Sequence, residues 1–521
     1  MHCAAPDFPY TTMKAIYLTH LLLFIFTFQF SFAQPGFNLI KDMNLPTNHF
    51  RDMIVDNDTL IGYGLAYDTI SQLQGLLLAK YDSSGNLISS KLILDSLGDY
   101  LSISKHWGKI IKTSDGGYAM TAATVYRKSA FLIKVSHNLE VEFINEYPDT
   151  VNLANFRYIP VEIKNGYLLY GAIQRPNFLN DAFIRRVDKQ GNTIWFKYYG
   201  VYNQDDAIVD LKMVNDSIAV AASVDGLNGS PTGSSRSTIR FINLDGVVVQ
   251  SWYSMPEPEI GYLRKVIPLE DGGLLTYGVY VAYITQFGTK VVQSTLARFT
   301  PGLQIEWVKH YGLLRSLDAG VLLLDIEPTH DGNFIGAGQS TIVLPNDVGL
   351  ISGWLFKFSP QGDSIWSRYD MGPYPPHYVN SHFFGGLGVL SSGNIIAGGS
   401  ASEGQKKYIW LVKVTTDGCL DTIFCGLVNA TEEVLPEQAG VEVRVYPNPA
   451  SERITIETGK ELKGGEVLLF NLQGKMVLRQ ALPTGGNRAE LVVVHLPSGI
   501  YLLEIHDSTG RFERFKVIIL R

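Results

Sequence analysis

Between residues 37 and 415 the chain alternates short apolar strands with turns, and the alternation repeats. One half of the unit is a turn followed by an apolar strand rich in small residues. It reads DNDTLIGYGLA from Asp56, SDGGYAMTAAT from Ser114, KNGYLLYGA from Lys164 and NDSIAVAAS from Asn215, and recurs from Glu270, His330 and Ser391. The other half is an apolar strand carrying one basic residue, a glycine-bearing turn and an aromatic strand, as in FIRRVDKQGNTIWFKYYG from Phe183. The basic residue serves as a ruler: Lys80, Lys134, Arg186, Arg240, Arg298, Lys357 and Lys413 stand 54, 52, 54, 58, 59 and 56 residues apart. A fixed period of this length marks a repeat architecture. Each unit has turns enough for four strands, which in the fourth copy read IVDLKMV from Ile208, SIAVAAS from Ser217, STIRFIN from Ser237 and VVVQSWY from Val247. Glycine, Asp and Asn punctuate them as hairpins require.

Four-stranded units without helical periodicity, apolar on both strand faces, predict an all-β chain. The expected fold is a seven-bladed β-propeller, in which radial packing covers both faces of each blade. Six or eight blades are the neighbouring alternatives. The seventh copy has three strands and then runs into CLDTIFC in place of an aromatic fourth. GFNLIKDMNL, from Gly36, has the missing pattern, so the N-terminal strand is expected to pair with the last blade and remove an open edge.

Ahead of the repeats, residues 14–33 read as a signal peptide. Lys14 precedes an apolar run to Phe30, and Ser31 and Ala33 supply small residues before a cleavage site at Ala33–Gln34. Met13 is the more natural start. No second stretch approaches spanning length, so a mature chain without a transmembrane segment is expected. Export makes Cys419 and Cys425 a disulfide candidate. Charge narrows the partners: 43 Lys+Arg against 50 Asp+Glu gives −7, which lacks the basic footprint of a nucleic-acid binder.

Residues 426–440 read as a linker, leaving 34–425 for the propeller and 441–521 for a small antiparallel β-sandwich with period-2 strands such as VEVRVYPNP and GIYLLEIHD. Tyr446-Pro447-Asn448-Pro449 opens this module, NLQGK around Gly474 forms a central hairpin, and LPSGIY brings Gly499 and Tyr501. These motifs resemble the type A C-terminal sorting domain of the type IX secretion system. The resemblance implies engagement of that secretion machinery and a secreted or outer-cell-surface location. It also implies removal of the domain, with attachment to surface lipopolysaccharide or release.

Chemistry is sparsely marked. HExxH, GxSxG and phosphate-loop motifs are missing from the sequence, and no cofactor, metal or catalytic residue is assigned. VDKQGNTIW, from Val187, fails the Asp-box spacing of sialidase-type propellers by one residue. The basic ruler residues are read as structural, with buried stems and paired or rim-exposed heads. Loops on one face are the place for a ligand: GVYNQDDA with Asp205 and Asp206, PEPEIGY reaching Tyr262, PYPPHYVNSHFF with Tyr374, His377, Tyr378 and His382, and the insert SVDGLNGSPTGSSRS from Ser223. Aromatic faces beside carboxylates suit a carbohydrate or protein ligand. A hydrolase or lyase using face-loop carboxylates and a structural surface component are the alternatives.

Overall fold

The computed structural model describes residues 36–519 apart from 104–107, 149–156, 175–178, 201–203, 227–235, 255–259, 285–289, 317–320, 344–348, 373–380, 405, 421–442, 448–449, 459–463, 472–475, 486, 498 and 508–511. The signal segment with Ala33 and Gln34, the linker, Tyr374, His377, Tyr378, Cys425, Asn448, Pro449 and Gly474 lie outside the described residues. The chain divides into two compact units, Met1–Glu433 and Val434–Arg521. The described residues are strands and turns, with no helix long and apolar enough to cross a membrane.

Side-chain capping explains how the turns punctuate the strands. In the first repeat Asp82 Oδ1 accepts the Ser84 and Asn86 N–H groups at 2.9 and 2.8 Å, Asn86 Nδ2 donates to Asp82 Oδ2, and Gly85 sits at φ 79°. The same device recurs at Asp188 with Gln190, Asn192 and Gly191, and at Asn243 with Asp245, Val247 and Gly246. A short acceptor side chain thus mimics a backbone turn, while glycine takes the left-handed position.

Among the described residues these turns join seven antiparallel sheets in the first unit. The first comprises Asn48–Asp56, Thr59–Asp68, Leu73–Tyr81 and Leu87–Ile93, in chain order. The fourth comprises Asp206–Met213, Ile218–Asp225, Arg236–Asn243 and Val248–Tyr253. In the second, Leu101–Ser102 and Ile110–Lys112 share the inner position against Tyr118–Thr124. Inner strands are buried and outermost strands exposed, as Asn48–Asp56 against Leu87–Ile93 illustrates.

The seam between each pair of neighbouring sheets holds its own apolar cluster. Ile61, Tyr63 and Leu78 of the first sheet meet Tyr118, Met120 and Ile133 of the second. Phe50, Met53 and Leu77 of the same sheet meet Ile396, Ile409 and Leu411 of the seventh, so the series closes on itself. That closure demands near-contact of backbones: a Cβ on Gly386, in the seventh sheet, would lie 2.3 Å from Met53 N.

The basic ruler residues stitch the seams. Lys80 donates to the His137 carbonyl, Arg186 Nη1 to Leu244 O at 3.0 Å, Lys357 to Thr416 O at 3.0 Å and Lys413 to Ser83 O at 2.8 Å. Each accepting carbonyl belongs to the second residue of the turn in the following sheet. Lys134 and Arg298 instead pair within their own sheets, with Asp115 and Glu142 and with Asp271 and Glu306.

Arg240 departs from the series. Lys80, Arg186, Arg298 and Lys357 each stand at a register shift two residues before their turn, and in the fourth sheet that position is Phe241. The ruler is therefore one residue out of step in this copy. Because strand side chains alternate, one residue turns the guanidinium to the opposite face. Phe241 packs toward the fifth sheet, and Arg240 faces the third.

At the seventh sheet, Phe37–Lys41 pairs antiparallel with Lys406–Val414, from Phe37 opposite Lys413 to Lys41 opposite Ile409. Asn38 anchors it, accepting Trp410 Nε1 at 2.7 Å and donating to Met371 O at 2.8 Å. Cys419 is buried at the end of the turn that follows Val414, its N–H donated to Thr415 Oγ1.

In the second unit, the sheet of Val443–Tyr446, Arg453–Thr458 and Arg488–Val492 and the sheet of Met476–Ala481, Gly465–Asn471, Gly499–Asp507 and Phe512–Ile519 contribute to one core. Tyr501 is buried in that core and its hydroxyl donates to Pro497 O at 2.8 Å, while exposed Tyr446 donates to Glu457. Gly499 begins the strand that carries Tyr501.

Asn38→Ala removes both anchors of the closing strand and leaves the buried indole N–H of Trp410 without its acceptor. It is expected to lower the unfolding free energy by about 2 kcal/mol, measured by denaturant unfolding. An unchanged midpoint would mean that backbone pairing alone holds the strand.

Candidate functional site

Two polar constellations stand out from the apolar seams. The first lies where the inner strands converge. Bulges re-aim one side chain on several inner strands, giving Asp52, Asp210, Lys265 and Asp325 at equivalent register shifts. Each aspartate caps the next sheet: Asp52 accepts Ile110 N–H at 2.9 Å, Asp210 accepts Val266 N–H at 3.0 Å and Asp325 accepts Leu387 N–H at 3.4 Å. Lys109 bridges Asp52 and Asp325 at 2.9 and 2.8 Å, joining the first sheet to the sixth across the centre. Tyr170 donates its hydroxyl to Asp210, and Lys265 lies 3.8 Å from Asp325.

Burial works against the Lys109 ammonium, but Asp325 and Asp52 outweigh it and hold its pKa above the ordinary value. Burial raises the Asp52 carboxyl despite Lys109. At Asp325 the burial penalty is overcome by Lys109 and Lys265, and the carboxyl stays below the usual range. Glu327, half-buried beside them, is pushed up to about 7 by burial and by the charge of Asp325. The aspartates are thus committed to ammonium or backbone partners, and Glu327 is the axial carboxyl that titrates near neutrality.

The second constellation is a cavity of about 470 Å³ on the seam of the third and fourth sheets. Tyr198, Tyr199, Gly200 and Gln204 line it from one side, and Asp225, Arg236, Arg240, Val248 and Tyr253 from the other. Arg240 is 6% exposed and Asp225 2%. Asp225 Oδ2 accepts Thr238 Oγ1 at 3.0 Å and Arg240 Nη2 at 3.4 Å, and the guanidinium lies 5.8 Å from the Tyr253 ring centre. Asp225 Oδ1 and Arg240 Nη1 are buried with no hydrogen-bond partner. Tyr198 and Tyr253 are exposed, whereas Tyr199 is tied down by a bond to Gly246 O at 3.0 Å. A smaller cavity of about 310 Å³ beside Ser114 and Glu162 differs in kind, because Glu162 is occupied by the Ser114 N–H and hydroxyl.

Of the residues singled out in the sequence, Asp205 and Asp206 stand beside this cavity without lining it, and Tyr262 and His382 lie on other sheets. Asp205 accepts the Asn180 N–H and side-chain amide at 2.7 and 2.9 Å, and Asp206 accepts Gly226 N–H at 3.0 Å. Both carboxylates hold loops in place, although their loop contributes Gly200 and Gln204 to the wall. Tyr262 is half-buried against the apolar seam of the fourth and fifth sheets. His382 is buried at the start of His382–Val389, edge-on to the Trp410 ring at 5.3 Å, and burial lowers its pKa. The insert from Ser223 supplies Asp225 and Arg236. Sequence reasoning passed over Arg240, which the ruler had grouped with the stitches. The recoverable signal was its distance from the following turn, three residues where the others have two. Among the described residues no group of three or more His, Cys, Asp or Glu is placed to hold a metal ion.

Residues 444–520 match the family described as the secretion system C-terminal sorting domain. The chain carries a type IX sorting domain, and its destination is the cell surface or the surroundings of the cell. No curated protein matches the chain. Among solved structures, it is similar to Drosophila Semaphorin 2a at 9% identity, covering 93% of this chain and 97% of that one, with a TM-score of 0.48. It is similar also to the β-propeller domain of the Trilobed protease from Pyrococcus furiosus, at 11% identity, 74% and 97% coverage and a TM-score of 0.40. The WD40 domain of SCAP from fission yeast follows at 10% identity, 72% and 98% coverage and 0.34.

Glu327→Gln tests the axial group. A carboxyl whose pKa rises on folding from its ordinary value of 4.5 to about 7 makes the native state lose stability as pH rises through that window, since the unfolded chain releases its proton first. The amide has no such penalty. The melting temperature of the variant relative to the parent is expected to increase from pH 5 to pH 8, and a pH-independent difference would contradict the assignment. Lys109→Met should cost about 3 kcal/mol or more by leaving two aspartates buried without their counter-ion, read from unfolding at pH 7.

Proposed function

We propose that this chain is an exported seven-bladed β-propeller that binds carbohydrate at the cell surface or after release. Its N-terminal strand closes the last blade, and its last 81 residues form a β-sandwich sorting domain that is removed on delivery. The seven sheets with a shared cluster at each seam, and the pairing of Phe37–Lys41 with Lys406–Val414, support the propeller reading. The sorting domain supports passage through the type IX machinery, and attachment to surface lipopolysaccharide belongs to the same proposal. Binding rests on one observation above the others: a polar cavity walled by tyrosines in which a buried carboxylate oxygen and a guanidinium nitrogen lack partners. Unpaired buried groups of this kind are costly unless something completes them, and aromatic walls with a few convergent polar groups are the ordinary make-up of a ligand site.

Glu327 favours a second reading, a hydrolase or lyase working from the axis, because its pKa near 7 suits proton transfer. It has no second free carboxylate among the described axial groups, so binding is preferred. A disulfide between Cys419 and Cys425 completes the proposal, locking the chain where it leaves the last blade.

Intact-mass measurement of the protein recovered outside the cell tests the processing. The chain is expected to begin at Gln34 and end near the linker, and to take up no alkylating reagent at Cys419 or Cys425 until reduced. A C-terminus at Arg521 would mean that the last domain is retained as part of the working protein. Glycan-array binding by the same material tests the ligand class, and an array without signal would overturn the carbohydrate reading.

A further inference from the structure

We infer that the cavity between the third and fourth sheets is a subsite for a neutral sugar, engaged through adjacent hydroxyls on Asp225 and Arg240; this rests on the carbohydrate reading above. A one-residue step turns Arg240 away from its stitching position. The side chain lands on the face it shares with Thr238 and Asp225, one strand over, where the ladder sets Ala221 opposite Arg240 and Asp225 opposite Arg236. A guanidinium and a carboxylate placed together would ordinarily form a two-pronged pair. Here one prong is made, Nη2 to Oδ2 at 3.4 Å, and Thr238 takes the rest of that oxygen. The remaining prong is unmade: Asp225 Oδ1 and Arg240 Nη1 are both buried and neither has a hydrogen-bond partner.

The cavity wall therefore holds one strong acceptor and one strong donor, both without a partner, and this combination selects the chemistry. A carboxylate or phosphate would satisfy Arg240 but be repelled by Asp225. An ammonium group would satisfy Asp225 but be repelled by Arg240. A hydroxyl both donates and accepts, so a pair of neighbouring hydroxyls can give a proton to Asp225 Oδ1 and take one from Arg240 Nη1 without placing a charge against either. The rest of the wall fits a sugar ring. Tyr253 and Tyr198 are each about half exposed and offer faces to C–H groups, and Gln204 adds a side chain that can donate and accept. A cavity of about 470 Å³ falls within the range of small-ligand sites. Arg236, exposed at the rim, contacts the next residue of a longer chain.

The test uses the full secreted protein on an array carrying neutral hexose and pentose oligosaccharides, uronate polymers and free-amine amino-sugar polymers. Titration calorimetry then follows with the strongest binder and with its deoxy analogues. The parent is expected to bind neutral glycans, and removal of one hydroxyl of the engaged pair should weaken binding about tenfold or more. Asp225→Asn and Arg240→Gln should each have a similar effect. Tyr253→Ala, at an exposed position where folding is not at stake, should also weaken binding and keeps the test valid if the buried variants misfold. Neutral-glycan binding that survives all three substitutions would overturn this cavity as the site while leaving carbohydrate binding intact. Binding confined to uronates or amino-sugars would overturn the hydroxyl-pair assignment. No binding to any glycan would overturn the carbohydrate reading itself.

Discussion

Every sheet of the first unit is apolar on both faces, so none can be left with a neighbour on one side only. This requirement governs the rest of the molecule. It explains why apolar clusters sit in the seams between sheets rather than in one central mass, and why the first and last sheets must meet. It also explains the glycine at position 386, since a side chain there would hold the closing strands apart. Where the seams reach the surface, the hydrophobic contribution ends and polar stitches continue it, with lysine and arginine heads donating to carbonyls in the next sheet's turns. Long aliphatic stems cover the seam while the charged heads find acceptors at its edge.

The two polar constellations differ in how completely their charges are matched. Where the inner strands converge, Asp52, Asp210 and Asp325 each spend an oxygen on a backbone N–H of the following sheet, and Lys109 ties the first sheet to the sixth. Such a network positions strands and leaves little for a ligand. In the lateral cavity the same residue types are left half-matched, with a carboxylate oxygen and a guanidinium nitrogen buried without partners.

The four-strand unit, its period and its turns were legible along the chain because they depend on local chemistry. Asp82, Asp188 and Asn243 cap their own turns with their own side chains, and Gly85, Gly191 and Gly246 take the left-handed position beside them. The stitches were legible as a regular series but not in purpose, since the carbonyls they reach lie roughly a full repeat away in sequence, or for Lys413 at the other end of the series. Asp205 and Asp206 looked like ligand groups because two carboxylates in a loop read the same whether they face solvent or hold neighbouring backbone. His382 looked accessible for the same reason, and packing against Trp410 put it inside.

By itself, then, the sequence determined the all-β class, the strand and turn positions, the repeat and the sorting domain, all of which follow from patterns within a few tens of residues. Tertiary structure alone decided which atoms have partners. Arg240 differs from Arg186 by a single step of register, too small to notice in a series whose spacing varies by several residues. On a pleated strand that step selects the face, and the face decides whether a guanidinium closes a seam or opens onto a cavity.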